Sequence, residues 1–235
     1  MKKIRAFVAL DSDSINKNIK AIKKLYPYVY GFKIGYRAFY QKGSEKLIKI
    51  IQKNNSKLFL DLKLHDIPNT IATGIESLKN IEPDYLTIHI SGGTEMMNAA
   101  IKTITKNKLK TKVLGVTLLT SLDKYDSKLI YGEKNTSKLV KKFALLALKS
   151  KLKGIICSGL ELKKLKEVKG LTKITPGVKL FSRNDDQKRV SYVHDAISNG
   201  ANYVVIGREL INTPNPQELL QKYYEKYPNK NLWTN

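Results

Sequence analysis

Alternation constrains this chain more than any other feature of its sequence. Apolar, strand-like runs recur at residues 4–10, 30–35, 58–64, 85–91, 112–119, 154–158, 172–178 and 203–207. Between them lie stretches with helical spacing, such as Ile15, Ile19, Ile22, Leu25 and Leu139, Phe143, Leu146. The runs are rich in β-branched residues and nearly continuous in hydrophobicity, as a parallel sheet covered on both faces requires. Eight such runs interleaved with helices form the pattern of an α/β protein of the (β/α)8 TIM barrel class. An open, doubly wound sheet shares the alternation. Length fits either architecture: 235 residues suit one large domain. No Pro/Gly/Ser linker, low-complexity segment or shift of composition breaks the chain, so residues 1–235 are expected to form a single domain.

Hydrophobic residues make up 42% of the chain, enough for a substantial core. The single cysteine, Cys157, excludes an internal disulfide framework and fits a reducing compartment. It lies in the run Gly154-Ile155-Ile156-Cys157-Ser158 and reads as a small buried strand residue. The basic start Met1-Lys2-Lys3-Ile4-Arg5 is followed by an apolar run that stops at Asp11, too short for a secretory leader. No segment approaches the length of a membrane span. A soluble, cytoplasmic protein with no membrane association is expected.

The formal charge is +23, from 43 Lys+Arg against 20 Asp+Glu. Charge of that size raises the question of nucleic acid. Lysine far exceeds arginine, however, and is spread over nearly every helical stretch. No stripe of arginine and aromatic residues and no nucleic-acid motif occurs, so no nucleic-acid partner is expected. Lys163-Lys164-Leu165-Lys166 reads as a solvated helix face. The overall positive field would still draw in a polyanionic small substrate.

In a barrel the chemistry sits at the carboxyl ends of the strands. There this sequence places Asp11, Lys33, the group Asp61, Lys63 and Asp66, the run His89-Ile90-Ser91-Gly92-Gly93, then Thr117 to Ser121, Thr175 to Lys179, and Gly207-Arg208. The third strand is the most unusual. In Asp61-Leu62-Lys63 a period of two puts both charges on one face, roughly 6.6–6.8 Å apart at the backbone. Asp66 follows just past the strand end. Charges on an apolar strand are costly unless they pair, and perturbed ionisable clusters concentrate at functional sites. A surface ion-pair network would leave the same trace. Gly207 beside Arg208 after the last strand is where barrels commonly hold a phosphate. The three histidines are far apart and give no zinc signature. His65 and His89 read as structural and His194 as a surface residue. The polar tail 222–235, with Trp233, is placed on the outside of the barrel.

Together these residues resemble the orotidine 5'-phosphate decarboxylase family in its bacterial form. The resemblance runs from Val8-Ala9-Leu10-Asp11 to Gly207-Arg208 and centres on Asp61-Leu62-Lys63-Leu64-His65-Asp66-Ile67-Pro68-Asn69-Thr70. Supporting matches are Phe32-Lys33-Ile34-Gly35, Val116-Thr117-Leu118-Leu119-Thr120-Ser121, Thr175-Pro176-Gly177 and Asp185-Asp186-Gln187-Lys188-Arg189. The resemblance implies a TIM-barrel homodimer with shared sites that converts orotidine 5'-monophosphate to UMP and CO2, using neither metal nor organic cofactor. Lys63 would stabilise the carbanion at C6 and protonate it, with Asp61 and Asp66 keeping the ammonium charged and oriented. By the same resemblance Asp11 and Lys33 hold the ribose, Asp66 and Thr70 arrive from the partner subunit, and Thr120 lies by the pyrimidine. Gln187, Gly207 and Arg208 bind the phosphate.

The chain departs from the bacterial pattern in two places. Lys179 stands where an arginine is usual, keeping the charge but losing the bidentate fork for substrate. The stretch 180–186, expected to act as a lid, is somewhat short. A sister family uses the same barrel with magnesium, but it needs a carboxylate where this chain has Lys33, and a cation there opposes Mg2+. A basic nucleic-acid-binding protein and an inactive barrel kept for partner binding are the remaining alternatives.

Overall fold

A computed structural model describes residues 3–181 and 191–234. In chain order the elements begin with β1 (Ile4–Ala9), α1 (Ile15–Leu25), β2 (Val29–Gly35), α2 (Tyr36–Tyr40), α3 (Ser44–Lys53), β3 (Lys57–Leu64) and α4 (Pro68–Ser77). They continue with β4 (Tyr85–His89), α5 (Gly93–Lys106), β5 (Lys112–Val116), α6 (Lys124–Tyr131), α7 (Thr136–Lys149), β6 (Gly154–Ile156) and β7 (Thr172–Pro176). The last are β8 (Val178–Lys179), β9 (Ser191–Tyr192), α8 (Val193–Ser198), β10 (Tyr203–Ile206), α9 (Arg208–Ile211) and α10 (Pro216–Lys226). Eight strands follow one another in the closed hydrogen-bonded order β1-β10-β7-β6-β5-β4-β3-β2, while β8 and β9 form a separate pair. Closure of the strand order settles the choice left by the sequence: the fold is a (β/α)8 barrel and not an open sheet.

All eight apolar runs become barrel strands, several with trimmed ends. The largest correction concerns the run 172–178. Pro176 has no backbone N–H for a ladder, and Gly177 turns the chain at φ +72°. The strand therefore stops at Pro176, and Val178–Lys179 pairs in parallel with Ser191–Tyr192. Lys179 belongs to that small sheet and not to a barrel strand.

Contacts gather into two compact units, residues 1–61 with 175–235, and residues 62–174. The first unit is built on β1, which pairs with β10 (Ala6↔Val204, Val8↔Ile206) and with β2 (Val8↔Phe32, Ala9↔Lys33). Its core centres on Phe7, fully buried, whose ring meets Phe59 and Tyr30 edge-on at 5.3 Å each. Burying one such side chain is worth roughly 1.5–3 kcal/mol. α1 starts where the Ser14 hydroxyl accepts the Lys17 N–H and buries Ala21, Ile22 and Leu25 on one stripe. The tail is less peripheral than its polarity implies. Trp233 is only 3% exposed, bridges to Ile4 and leaves its carbonyl to accept from Arg5 Nε at 3.3 Å.

In the second unit β4 pairs with β5 from Tyr85↔Lys112 to His89↔Val116, and β5 with β6. Leu86, Ile88, Val113, Leu114, Ile155 and Ile174 are buried there. A side chain at Gly154 would strike the Thr172 carbonyl, so glycine permits the close approach of β6 to β7. α6 opens on a reciprocal cap in which Asp123 and Asp126 each accept the other's backbone N–H. Cys157 is buried, as its run implied, but it lies just past the end of β6.

Candidate active site

Polar chemistry in the first unit gathers at the carboxyl ends of its strands. Lys33, near the end of β2, has a side chain only 11% exposed, and its ammonium lies 3.3 Å from Asp61 Oδ2 and 3.8 Å from Asp11 Oδ1. Register explains the meeting. Ala9 is opposite Lys33, and Gly35 is opposite Asp61. Gly35 also leaves room for the group, because a Cβ there would lie 3.1 Å from Lys33 Nζ and 3.5 Å from Asp11 Oδ1. Asp61 is almost wholly buried. A carboxylate in that position is costly, and the Lys33 cation standing against it offsets part of that cost.

Asp11 reaches further. Together with Lys17, Arg37, Arg208 and Asn212 it lines a cavity of about 190 Å³. Arg37 Nη1 donates to the Asp11 carbonyl at 3.3 Å, and Lys17 Nζ donates to Asn212 Oδ1 at 2.8 Å. Lys17, Arg37 and Arg208 outnumber the two carboxylates of the same lining, Asp11 and Asp13, so the opening fits an anionic ligand. Arg208 opens α9 and Gly207 precedes it in a φ −108°, ψ −114° conformation. In the small sheet, Lys179 is half-buried. The adjoining Leu180 N–H donates to Glu209 Oε2 at 2.7 Å.

The second unit carries the rest of the third-strand motif. Lys63 is half-buried near the end of β3, with a backbone φ of +42°. The regular alternation expected along this strand therefore breaks at the lysine itself. The Lys63 N–H donates to the Thr87 hydroxyl at 2.8 Å. Asp66 is exposed and accepts the N–H of Ile67 at 2.7 Å. Ile67 is 67% exposed, and Thr70, in the first turn of α4, is exposed as well. Thr120 is exposed in the turn after β5. Thr117, just past the end of β5, is buried, and its hydroxyl donates to the Ile156 carbonyl at 2.8 Å. His65 and His89 lie ring against ring, with centroids 5.2 Å apart.

Of the residues expected from sequence, the structure brings together Asp11, Lys33 and Asp61 in one ion-pair group, and Asp11 and Arg208 on one cavity. Gln187 lies outside the described residues, as do 182–186 of the expected lid. Sequence reasoning passed over Arg37 and Thr87, and named Gly35 only as part of a matched run. Thr87 alone had a legible signal, a single hydroxyl inside the apolar strand Tyr85-Leu86-Thr87-Ile88. His194, expected on the surface, keeps a 30% exposed side chain on α8 and stacks on Tyr227 at 4.4 Å between centroids.

Comparison with known proteins gives concordant results. The family model described as orotidine 5'-phosphate decarboxylase / HUMPS family matches residues 5–223. The orotidine 5'-phosphate decarboxylase of Buchnera aphidicola subsp. Baizongia pistaciae is 39% identical over 224 residues, covering 94% of each chain. That of Wigglesworthia glossinidia brevipalpis is 39% identical over 235 residues, covering 97% of this chain and all of its own. Among solved structures, the orotidine 5'-phosphate decarboxylase of Lactobacillus acidophilus superposes with a TM-score of 0.78 at 28% identity, covering 97% of this chain and 100% of its own.

Proposed function

This chain belongs to the orotidine 5'-phosphate decarboxylase / HUMPS family, and from that premise we propose that it converts orotidine 5'-monophosphate to UMP and CO2. The observation that carries the proposal is the nearly buried Asp61, ion-paired to Lys33 on the strand that also bears Lys63. The bond from C6 to the carboxylate breaks, CO2 leaves, and the electron pair stays on C6 as a vinylic carbanion. Catalysis must stabilise that charge as it forms. The Lys63 ammonium does so and then delivers its proton to C6. Asp61 and Asp66 favour the charged lysine.

Asp11 and Lys33 bind the ribose hydroxyls, and Thr120 lies by the pyrimidine. Gln187, Gly207 and Arg208 hold the phosphate, with Lys179 as a further cation toward substrate. The cavity lined by Asp11 and Asp13 with Lys17, Arg37 and Arg208 keeps an excess of positive charge, which supports ribose and phosphate binding there. Remote phosphate binding energy is then available at the reacting carbon. No step requires a metal or an organic cofactor. Lys33 in place of a carboxylate weighs against the magnesium-dependent sister chemistry.

The working unit is a two-fold homodimer of single-domain chains in the cytoplasm, with Asp66 and Thr70 serving the partner's site. Exposure of Asp66, Ile67 and Thr70 together supports this arrangement, since Ile67 is a large apolar side chain left open in one chain. Among the described residues no helix is long and apolar enough to cross a membrane. The direct test is to assay the purified protein with orotidine 5'-monophosphate in excess chelator, following loss of substrate absorbance. Turnover is expected to continue. Its absence from folded protein, or its dependence on added Mg2+, would overturn the assignment.

A further inference from the structure

Lys63 is among the few non-glycine residues with positive φ, at +42°, and it adopts this conformation inside a β-strand. For an L-residue with a long side chain the left-handed region is unfavourable and persists only where the surroundings enforce it. The Lys63 N–H, like any N–H shielded within a strand, needs an acceptor. The acceptor is the hydroxyl of Thr87, 2.8 Å away. Thr87 is fully buried in the middle of β4, between the buried Leu86 and Ile88. A hydroxyl at such a place carries a desolvation cost that a hydrogen bond must offset.

We propose that Thr87 is a positioning residue for Lys63. Its side-chain oxygen holds the lysine backbone in the left-handed conformation and so sets the direction in which the ammonium leaves β3. The inference rests on the assignment of Lys63 as the group that stabilises and protonates C6. Thr87 touches no substrate. It acts through the Lys63 amide, and a small misplacement of a general acid is enough to slow its reaction. The nucleotide's ribose and phosphate contacts lie on other residues, so loss of the Thr87 oxygen should fall on kcat and leave KM nearly unchanged.

Thr87→Val and Thr87→Ser separate this role from packing. Valine keeps the shape and loses the acceptor, whereas serine keeps the acceptor and loses a methyl group. Positioning predicts that Thr87→Val lowers kcat by roughly 10- to 100-fold with KM within about twofold, while Thr87→Ser stays within about threefold of wild type. Near-wild-type kcat in Thr87→Val, or a larger loss in Thr87→Ser than in Thr87→Val, overturns the inference. If Thr87→Val does not fold, Thr87→Ala replaces it in the comparison, since alanine and serine leave similar space and differ in the oxygen. Serine well above alanine supports positioning, and equality overturns it. Wild-type turnover is measured first and tests the reaction assignment alone. An active wild type with an active Thr87→Val sinks only the role of Thr87, whereas an inactive, folded wild type sinks both.

Discussion

A single lysine and its two carboxylates show how much of this protein is set residue by residue. Lys33 is nearly buried and has two carboxylates within 4 Å, so its charge is offset where hydration is poor. The motif Asp61-Leu62-Lys63 was legible in the sequence because charges on an apolar strand are rare and costly. The partnership of Asp61 with Lys33 was not, because it depends on the register between β2 and β3, which no local pattern encodes. The left-handed backbone at Lys63 was likewise invisible, since lysine carries no propensity for it. Arg208 offers a test at this scale. Its guanidinium lines the same cavity as Asp11 and is assigned to the phosphate. Arg208→Ala should lower kcat/KM for the nucleotide by roughly 10- to 100-fold, the equivalent of losing charge-assisted hydrogen bonds of about 1.5–3 kcal/mol. The slow reaction of the phosphate-free nucleoside should barely change. Equal losses on both substrates would show that Arg208 acts elsewhere.

At the scale of elements, the strands were legible because a parallel strand buried on both faces reads as an apolar run, and each of the eight runs forms a barrel strand. Their ends were less so. The 172–178 run splits at Pro176-Gly177, where backbone chemistry overrides hydrophobicity. Trp233 sat in a polar tail, and its pairing with Ile4 spans almost the whole sequence. The connection after β6 carries a pH-sensitive group. The Glu161 carboxylate accepts the Ser158 N–H at 3.1 Å, but burial outweighs that bond and the Lys164 charge and raises its pKa. A raised carboxyl pKa means that the folded state binds the proton more tightly than the unfolded state. Stability must therefore fall as pH rises from the ordinary carboxylate range through the raised value. Glu161→Gln, neutral at every pH, should be more stable than wild type at about pH 7, with the difference closing below about pH 4, where both side chains are uncharged. Denaturant unfolding at the two pH values checks this. A difference that persists unchanged in acid would point to packing in place of charge.

For the whole molecule, +23 is the net balance of 43 basic and 20 acidic residues. Surface pairs such as Lys141 with Glu167 and Lys222 with Glu218 join exposed groups and add little stability. The excess charge would instead act as a field that favours approach of a polyanionic nucleotide. Assembly is testable through reciprocity. In an isologous dimer each site would take Lys63 from one chain and Asp66 from the other. Mixing inactive Lys63→Ala and Asp66→Ala under subunit exchange makes about half the dimers mixed, each with one intact site, so roughly a quarter of wild-type sites should reappear. No recovery, with exchange confirmed independently, would refute shared sites.

The central claim is that Lys63 supports a carbanion at C6 and then protonates it. Turnover of orotidine 5'-monophosphate in D2O reads both steps, with product deuteration followed by NMR and CO2 measured alongside. Wild type should give UMP with one deuterium at C6 and one CO2 per turnover, and folded Lys63→Ala should be slower by at least about 100-fold. A folded Lys63→Ala variant that turns over at the wild-type rate would contradict the account.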